Sequence, residues 1–415
     1  MPSSFKCLFQ VVAAALWGLS ATVLATKNID VRTELLSFSP WNETLLQQRA
    51  ACPEDYSPCT CDLTANGLEV TCSDVSVQDI QDVFYRTQTF RLYLVMLSPS
   101  FIPDSSGSSS ISLPADLLQD KRAENIFLIC PPNASPSIGL TIDPATFEFT
   151  RFNTSVFGIF NCDLAAQTDM QFLADFSVLN TLRFENTLNL QVIESLPSLP
   201  ALKKLIISGC TGLEDEKVAF PDLTPARLQR LYLNGNGLSD ETANGILVSV
   251  GSSSSASSLQ ELILANDGLT RIPRIASFSK LSVYDVSYNV VPFMSQLTLD
   301  FGAVVTLVSL KSNSLTAIEG GAFQGDFTSA QVNLENNNLS EFRSDVFLSM
   351  LQQMATPSSG SGGQVLVTGN PFKCDCGLAW LIRDNQHLIP NVRNGVCGGF
   401  FRFQDLSPDS FTDCL

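Results

Sequence analysis

The sequence is short of the residues on which most catalytic and metal chemistry depends. It holds a single histidine, His387, close to its C-terminal end. Histidine-rich metal centres and most histidine-based general-base mechanisms therefore have little to work with. Positive charge is also scarce: 24 Lys and Arg stand against 41 Asp and Glu, a formal charge of −17. That balance argues against a protein that tracks nucleic-acid phosphates or lies on an anionic membrane, because both need basic patches. The motifs G-x-S-x-G and H-E-x-x-H and phosphate-cradling glycine loops are missing. Apolar residues are plentiful, at 45% against 16% charged, which supplies a large core and excludes global disorder. The 415 residues are enough for two or three globular domains or for one elongated repeat array. The expectation is a folded, acidic binding protein, not an enzyme, with no cofactor.

Residues 1–25 read as a secretory signal peptide. Lys6 supplies the positive region, VVAAALWGLSA the short apolar run, and Val23-Leu24-Ala25 the small residues at a cleavage site. The run is too short, and too soon followed by Thr26-Lys27-Asn28, to make a good membrane span. Cleavage would remove Lys6 and leave 23 basic against 41 acidic residues, a net −18. No second spanning run or lipid-anchor tail follows, so the expectation is a soluble, secreted, extracellular chain. Four Asn-x-Ser/Thr sequons, at Asn42, Asn133, Asn153 and Asn338, fit that route as glycosylation sites. Residues 26–51 are expected to be a flexible N-terminal segment.

Eleven cysteines remain after Cys7 leaves with the signal. Eight form two clusters, Cys52, Cys59, Cys61 and Cys72 near one end and Cys374, Cys376, Cys397 and Cys414 near the other. In an oxidising compartment these read as disulfide staples; the spacings lack the paired C-x-x-C elements of a zinc site. Four cysteines allow three pairings. Because the two members of a Cys-x-Cys pair rarely bond each other, we expect alternate pairing: Cys52–Cys61 with Cys59–Cys72, and Cys374–Cys397 with Cys376–Cys414. Cys130, Cys162 and Cys210 are left over. Either two of them pair and one stays a buried thiol, or all three are free.

Between the clusters the sequence repeats itself. The template L-x-x-L-x-L-x-x-N-x-L is matched by LQRLYLNGNGL at 228–238 and by LSVYDVSYNVV at 281–291. Further copies lie at 305–315, 329–339 and 362–372; 259–269 carries Asp267 at the Asn position, 202–212 carries Cys210 and 154–164 carries Cys162. A weaker copy lies at 179–189, and RLYL at 91–94 and IFLI at 126–129 are degenerate early ones. The third template leucine falls at Ile159, Phe184, Ile207, Leu233, Leu264, Val286, Leu310, Leu334 and Val367. Most intervals lie within the leucine-rich-repeat range. The two longest contain GSSSSASS (251–258) and PSSGSGG (357–363), which read as flexible insertions, as does SSGSSS (105–110).

The L-x-L alternation is that of a short strand with one buried face. The side chains of Asn236, Asn289, Asn313 and Asn337 are expected to be structural, bonding buried main chain where each strand ends. One unit cannot bury its apolar face alone, so neighbours must stack. The resulting expectation is an α/β leucine-rich-repeat solenoid, a curved horseshoe with a concave parallel sheet, an irregular or short-helical convex side and disulfide-bonded caps. Residues 52–89 would form the N-terminal cap, 90–370 about nine to eleven repeats, and 371–415 the C-terminal cap.

Taken together, these features resemble extracellular leucine-rich-repeat proteins with cysteine-rich flanks. CPEDYSPCTC with Cys72 is similar to the N-terminal flanking module, and NPFKCDCGLAWL with Cys397 and Cys414 to the C-terminal one. More narrowly, the run from CPEDYSPCTC through GLEVTCSDVSVQDIQDVF is similar to arthropod proteins named after the Oplophorus-luciferin 2-monooxygenase non-catalytic subunit. That resemblance implies a chain that accompanies a secreted enzyme without performing its reaction.

Solenoids of this kind bind through the variable side chains of the concave strands. Ile206, Tyr232 and Ile263 would form an apolar stripe there, flanked by Lys204 and Arg230, with Glu261 next in line and Tyr288 nearby. Exposed aromatics and arginines are enriched in binding hot spots, so this stripe is the candidate site, and Tyr232→Ala is expected to weaken binding. The implied partner is an extracellular protein, or alternatively a glycan or microbial ligand, and not nucleic acid.

Overall fold

A computed structural model describes residues 52–100, 102–103, 109–132, 137–213, 220–221, 223, 226–357 and 362–414. The proposed signal peptide, the 26–51 segment, Asn42, Asn133 and most of the 105–110 tract lie outside the described residues.

One fourteen-stranded sheet runs through the whole array. Its strands are β1 (Thr60–Leu63), β2 (Leu68–Val75), β3 (Arg91–Pro99), β4 (Arg122–Ile129), β5 (Val156–Phe160), β6 (Thr181–Glu185) and β7 (Lys204–Ser208). They continue with β8 (Arg230–Tyr232), β9 (Glu261–Ile263), β10 (Val283–Asp285), β11 (Leu307–Ser309), β12 (Gln331–Asn333), β13 (Gln364–Leu366) and β14 (Val392–Arg393). β1 and β2 form an antiparallel hairpin; every later neighbour in the sheet is parallel. The template register is kept from repeat to repeat, with Ile207 level with Phe184 and Tyr232 level with Ile206 and Ile263. The degenerate RLYL and IFLI segments lie inside β3 and β4. This is a leucine-rich-repeat horseshoe bracketed by disulfides.

Helices α1 (Val77–Arg86), α2 (Asp240–Gly251) and α3 (Ser344–Ala355), 3-10 turns and short strand pairs return the chain on the convex side. α1 starts where the Ser76 hydroxyl accepts from the Asp79 N–H, and buries Ile80, Val83 and Phe84 at the spacing of one helical face. Among the described residues, no helix is long and apolar enough to cross a membrane.

The first long interval is filled differently from the flexible insertion expected there. The GSSSSASS tract closes α2 at Gly251 and then forms a 3-10 turn, Ser254–Ser257. Ser255 is fully buried: its hydroxyl accepts from the Leu228 N–H and donates to the Ala226 carbonyl, while Ser258 donates to the Leu228 carbonyl. Small hydroxyl side chains here bond buried main chain of the preceding repeat, so this run is ordered. α3 supplies most of the second long interval, and residues 358–361 lie outside the described set.

The asparagine position builds a ladder. Asn289 Nδ2 donates to the Leu264 carbonyl of the preceding repeat and the Val286 carbonyl of its own, while its Oδ1 accepts from Asp267, Gly268 and Leu269 N–H groups. Asn313, Asn337 and Asn370 repeat the pattern against Val286, Leu310 and Leu334, and Asn236 against Ile207. In the N-terminal half, Thr187 Oγ1 and Cys210 Sγ take the slot, donating to the Ile159 and Phe184 carbonyls. Each side chain satisfies main-chain groups that stacking has removed from water.

The terminal disulfides pair as Cys52–Cys61, Cys59–Cys72, Cys374–Cys397 and Cys376–Cys414. The odd cysteines divide: Cys130, just past β4, bonds Cys162, just past β5, and Cys210 remains a buried thiol. Burial pushes the Cys210 pKa up to about 12, so it is not a poised nucleophile. At the C-terminal end Phe342 lies stacked between Phe347 and Trp380, with ring centroids 4.1 and 5.8 Å away, and the Trp380 indole N–H donates to the Phe342 carbonyl. These rings seal a face that an open solenoid would leave wet, each large side chain contributing about 1.5–3 kcal/mol.

Two outcomes follow from the ladder and the sulfur pairing. Asn313→Ala should cost about 2–4 kcal/mol in denaturant unfolding, because it leaves buried carbonyl and N–H groups unpaired; a loss below about 0.5 kcal/mol would contradict the ladder. Iodoacetamide should leave the native chain from Cys52 onward unlabelled and add one adduct after unfolding without reductant; three adducts would refute the Cys130–Cys162 bond.

Candidate functional site

The concave face is built from the strand residues that alternate away from the core. One column reads Thr181, Lys204, Arg230, Glu261, Val283, Leu307 and Gln331 across β6 to β12. The central column reads Gly158, Arg183, Ile206, Tyr232, Ile263, Asp285, Ser309 and Asn333. Parallel pairing sets neighbours in a column about 5 Å apart, so each column is a continuous strip.

At mid-solenoid, Ile206, Tyr232 and Ile263 form an apolar cluster with Ala265, separate from the main core. They are 2%, 2% and 8% exposed, so the stripe is packed shut and not an open apolar surface. Long polar side chains close it. The Lys204 ammonium lies 5.2 Å from the centre of the Tyr232 ring. The Tyr232 hydroxyl donates to Glu261 Oε2 at 2.5 Å, and the Arg230 guanidinium reaches the same oxygen at 3.1 Å. The Arg230 side chain is nearly half exposed and Glu261 much less so. What this cluster presents outward is therefore charge held in a fixed geometry by the aromatic ring beneath it. Tyr288 stands apart: it occupies a left-handed turn beyond β10 and is 55% exposed.

Sequence reading passed over a second cluster toward the N-terminal repeats. Arg183 and Glu185, both buried, pair at 2.6 Å, and the Arg183 guanidinium lies over the Phe160 ring at 5.7 Å. Phe160 packs edge-on against Phe127 at 5.6 Å. A Cβ on Gly158 would come within 2.7 Å of the Phe160 ring, so glycine is what lets that ring lie across the sheet. The signal was the third outward position of β5 and β6, where Phe160 and Glu185 are level. Removing one partner of such a buried ion pair costs about 3–5 kcal/mol.

Beyond these clusters the central column turns polar. Asp285 receives the Ser287 N–H at 2.8 Å, Lys311 pairs with Glu335 at 3.5 Å, and Asn333 receives the Glu335 N–H at 2.9 Å. Two cavities, of about 690 and 650 Å³, lie elsewhere, along the early repeats, and share Arg122; Tyr85, Phe90 and Lys121 line one, and Arg91, Phe152, Asn153 and Val178 the other. Asn153 and Asn338 are both exposed, outside the strands. Among the described residues, no group of three or more His, Cys, Asp or Glu side chains could hold a metal ion.

No family profile matches this sequence, and no curated relative matches it. Solved structures do match. A chain in an octameric complex of Latrophilin 3, Unc5D and FLRT2 (LRR) is 15% identical, with TM-score 0.46, over 78% of this chain and 91% of that one. Human 5T4, also described as Wnt-activated inhibitory factor 1 or trophoblast glycoprotein, is 15% identical, with TM-score 0.36, over 87% and 99% respectively.

Proposed function

We propose that this chain is a secreted, non-catalytic recognition protein that grips an extracellular protein through its concave face. The observation that carries this reading is the cluster of Lys204, Arg230, Tyr232 and Glu261, in which a buried ring fixes charged groups on an accessible strip. Charge-bearing groups with locked rotamers lose little entropy on binding and impose register on a complementary surface. A protein surface suits them better than a sugar: Tyr232 is buried and covered by Lys204, so it offers no open ring on which a pyranose could stack. Asp285, Lys311 and Glu335 extend the polar strip toward the C-terminal repeats. An accessory-subunit role, in which the partner is a secreted enzyme, is one form of this reading and rests on the resemblance of the N-terminal run alone.

Affinity capture with the tagged mature chain from its native secretion, followed by mass spectrometry, should recover a protein partner at fixed stoichiometry. Arg230→Glu should weaken that partner at least about tenfold, the usual scale of a hot-spot charge, with thermal stability nearly unchanged. Recovery of glycans alone, or undiminished capture by Arg230→Glu, would contradict the proposal. In the same preparation the Asn153 and Asn338 peptides should carry N-glycans; two unmodified asparagines would count against passage through a secretory route.

A further inference from the structure

The ladder contains one member of the wrong chemistry. From Thr187 to Asn370, the slot side chain of each repeat donates to a main-chain carbonyl of the preceding repeat, with a single exception at Asp267. Asp267 is 6% exposed, and its Oδ1 accepts from the Asn236 N–H at 2.8 Å, as an asparagine oxygen would. Its Oδ2 is buried without a partner. By the pattern of Asn289 one repeat on, that oxygen stands where an amide nitrogen would face the Leu233 and Leu264 carbonyls. A carboxylate there sets negative oxygen against lone pairs in a site closed to water. A neutral carboxyl instead has the one O–H that the slot requires.

We propose that Asp267 is carried as a neutral carboxylic acid whose O–H completes the ladder, and that its ionisation loosens the joint beneath the Tyr232–Glu261 cluster, making that repeat pH-sensitive. Among the described residues, the turns packed against it supply no compensating cation. From the preceding repeat come Asn236, Gly237 and Leu238, and from the following one Asn289, all neutral. The titratable groups on adjoining segments are Tyr288, which is exposed, Arg271, and Asp240, whose carboxylate accepts from the Thr270 and Arg271 N–H groups. Burial pushes the Asp267 pKa up to about 7, against the opposing pull of the Asn236, Leu238 and Gly237 N–H groups, and among the described residues no charged side chain contributes.

The folded state thus holds this proton to higher pH than the unfolded chain does. The stabilisation is full below the unfolded value near ~4, falls as pH rises toward 7 and is absent above it. Glu54, Asp326 and Asp345 are shifted downward by hydrogen bonds, so their contributions are lost only as pH falls below the ordinary carboxylate range. Among the described carboxylates with a shifted pKa, Asp267 is the one raised into the range between pH 5 and 8.

The test is unfolding of the full mature chain across pH 5–8, paired with amide hydrogen exchange corrected for intrinsic rates. The parent should lose up to roughly 100-fold in folding equilibrium between pH 5 and 7, and Asp267→Asn should be flat and more stable at pH 8. Protection at 236–238 and 261–264 should fall with pH in the parent and not in Asp267→Asn. Asn313→Asp should create a second pH-dependent loss, centred on its own repeat. Parallel pH profiles for the parent and Asp267→Asn would overturn the proposal, as would a pH-dependent loss of protection that ignores residue 267.

Discussion

Everything in this protein depends on satisfying main-chain groups that become buried when one repeat stacks on the next. From β5 to β13, strands of three to five residues give each repeat little sheet to hold it, and the chain must leave every strand through a turn facing the core. The side chain at that exit either bonds the carbonyl behind it and the N–H groups beside it or leaves them unpaired at about 1–3 kcal/mol each. Asparagine does both tasks at once. In the N-terminal half, threonine and cysteine donate from the same slot to the carbonyl of the preceding repeat.

The same constraint positions the binding face. Because the ladder fixes the strand exits, the register of the sheet carries unbroken from β5 to β13, and the outward columns line up whatever side chains they carry. Function can then vary column by column. Around Tyr232 the columns have become self-satisfied, with a ring beneath and charges above. Around Arg183 an ion pair and two phenylalanine rings fill the face. Toward Ser309 and Asn333 the central column is polar. A partner would meet rigid charge in the middle and hydrogen-bonding groups toward the C-terminal end.

The repeat template made the fold legible in the sequence, since a period-two alternation and a fixed exit residue determine which side chains face inward. The terminal pairings were legible because each cluster had few alternatives. Accessibility was not. Alternation places Ile206 and Tyr232 on the concave face, but whether they are wet depends on where Lys204 and Arg230 lay their side chains, and no local pattern states that. The serine run at 251–258 has the composition of a linker, yet its hydroxyls bond buried main chain of the preceding repeat, a tertiary effect. Cys130 escaped pairing because its strand departs from the template; its partner became evident only once Ile129 was seen level with Phe160.

The central claim is that a ladder-held concave sheet is the surface that meets another protein. Its most direct test is a hydrogen-exchange footprint of the captured complex. The account predicts that protection appears at strands β7 to β12, around Arg230, Glu261 and Asp285, and leaves helices α2 and α3 unchanged. Protection confined to the convex helices or to the two ends would contradict it.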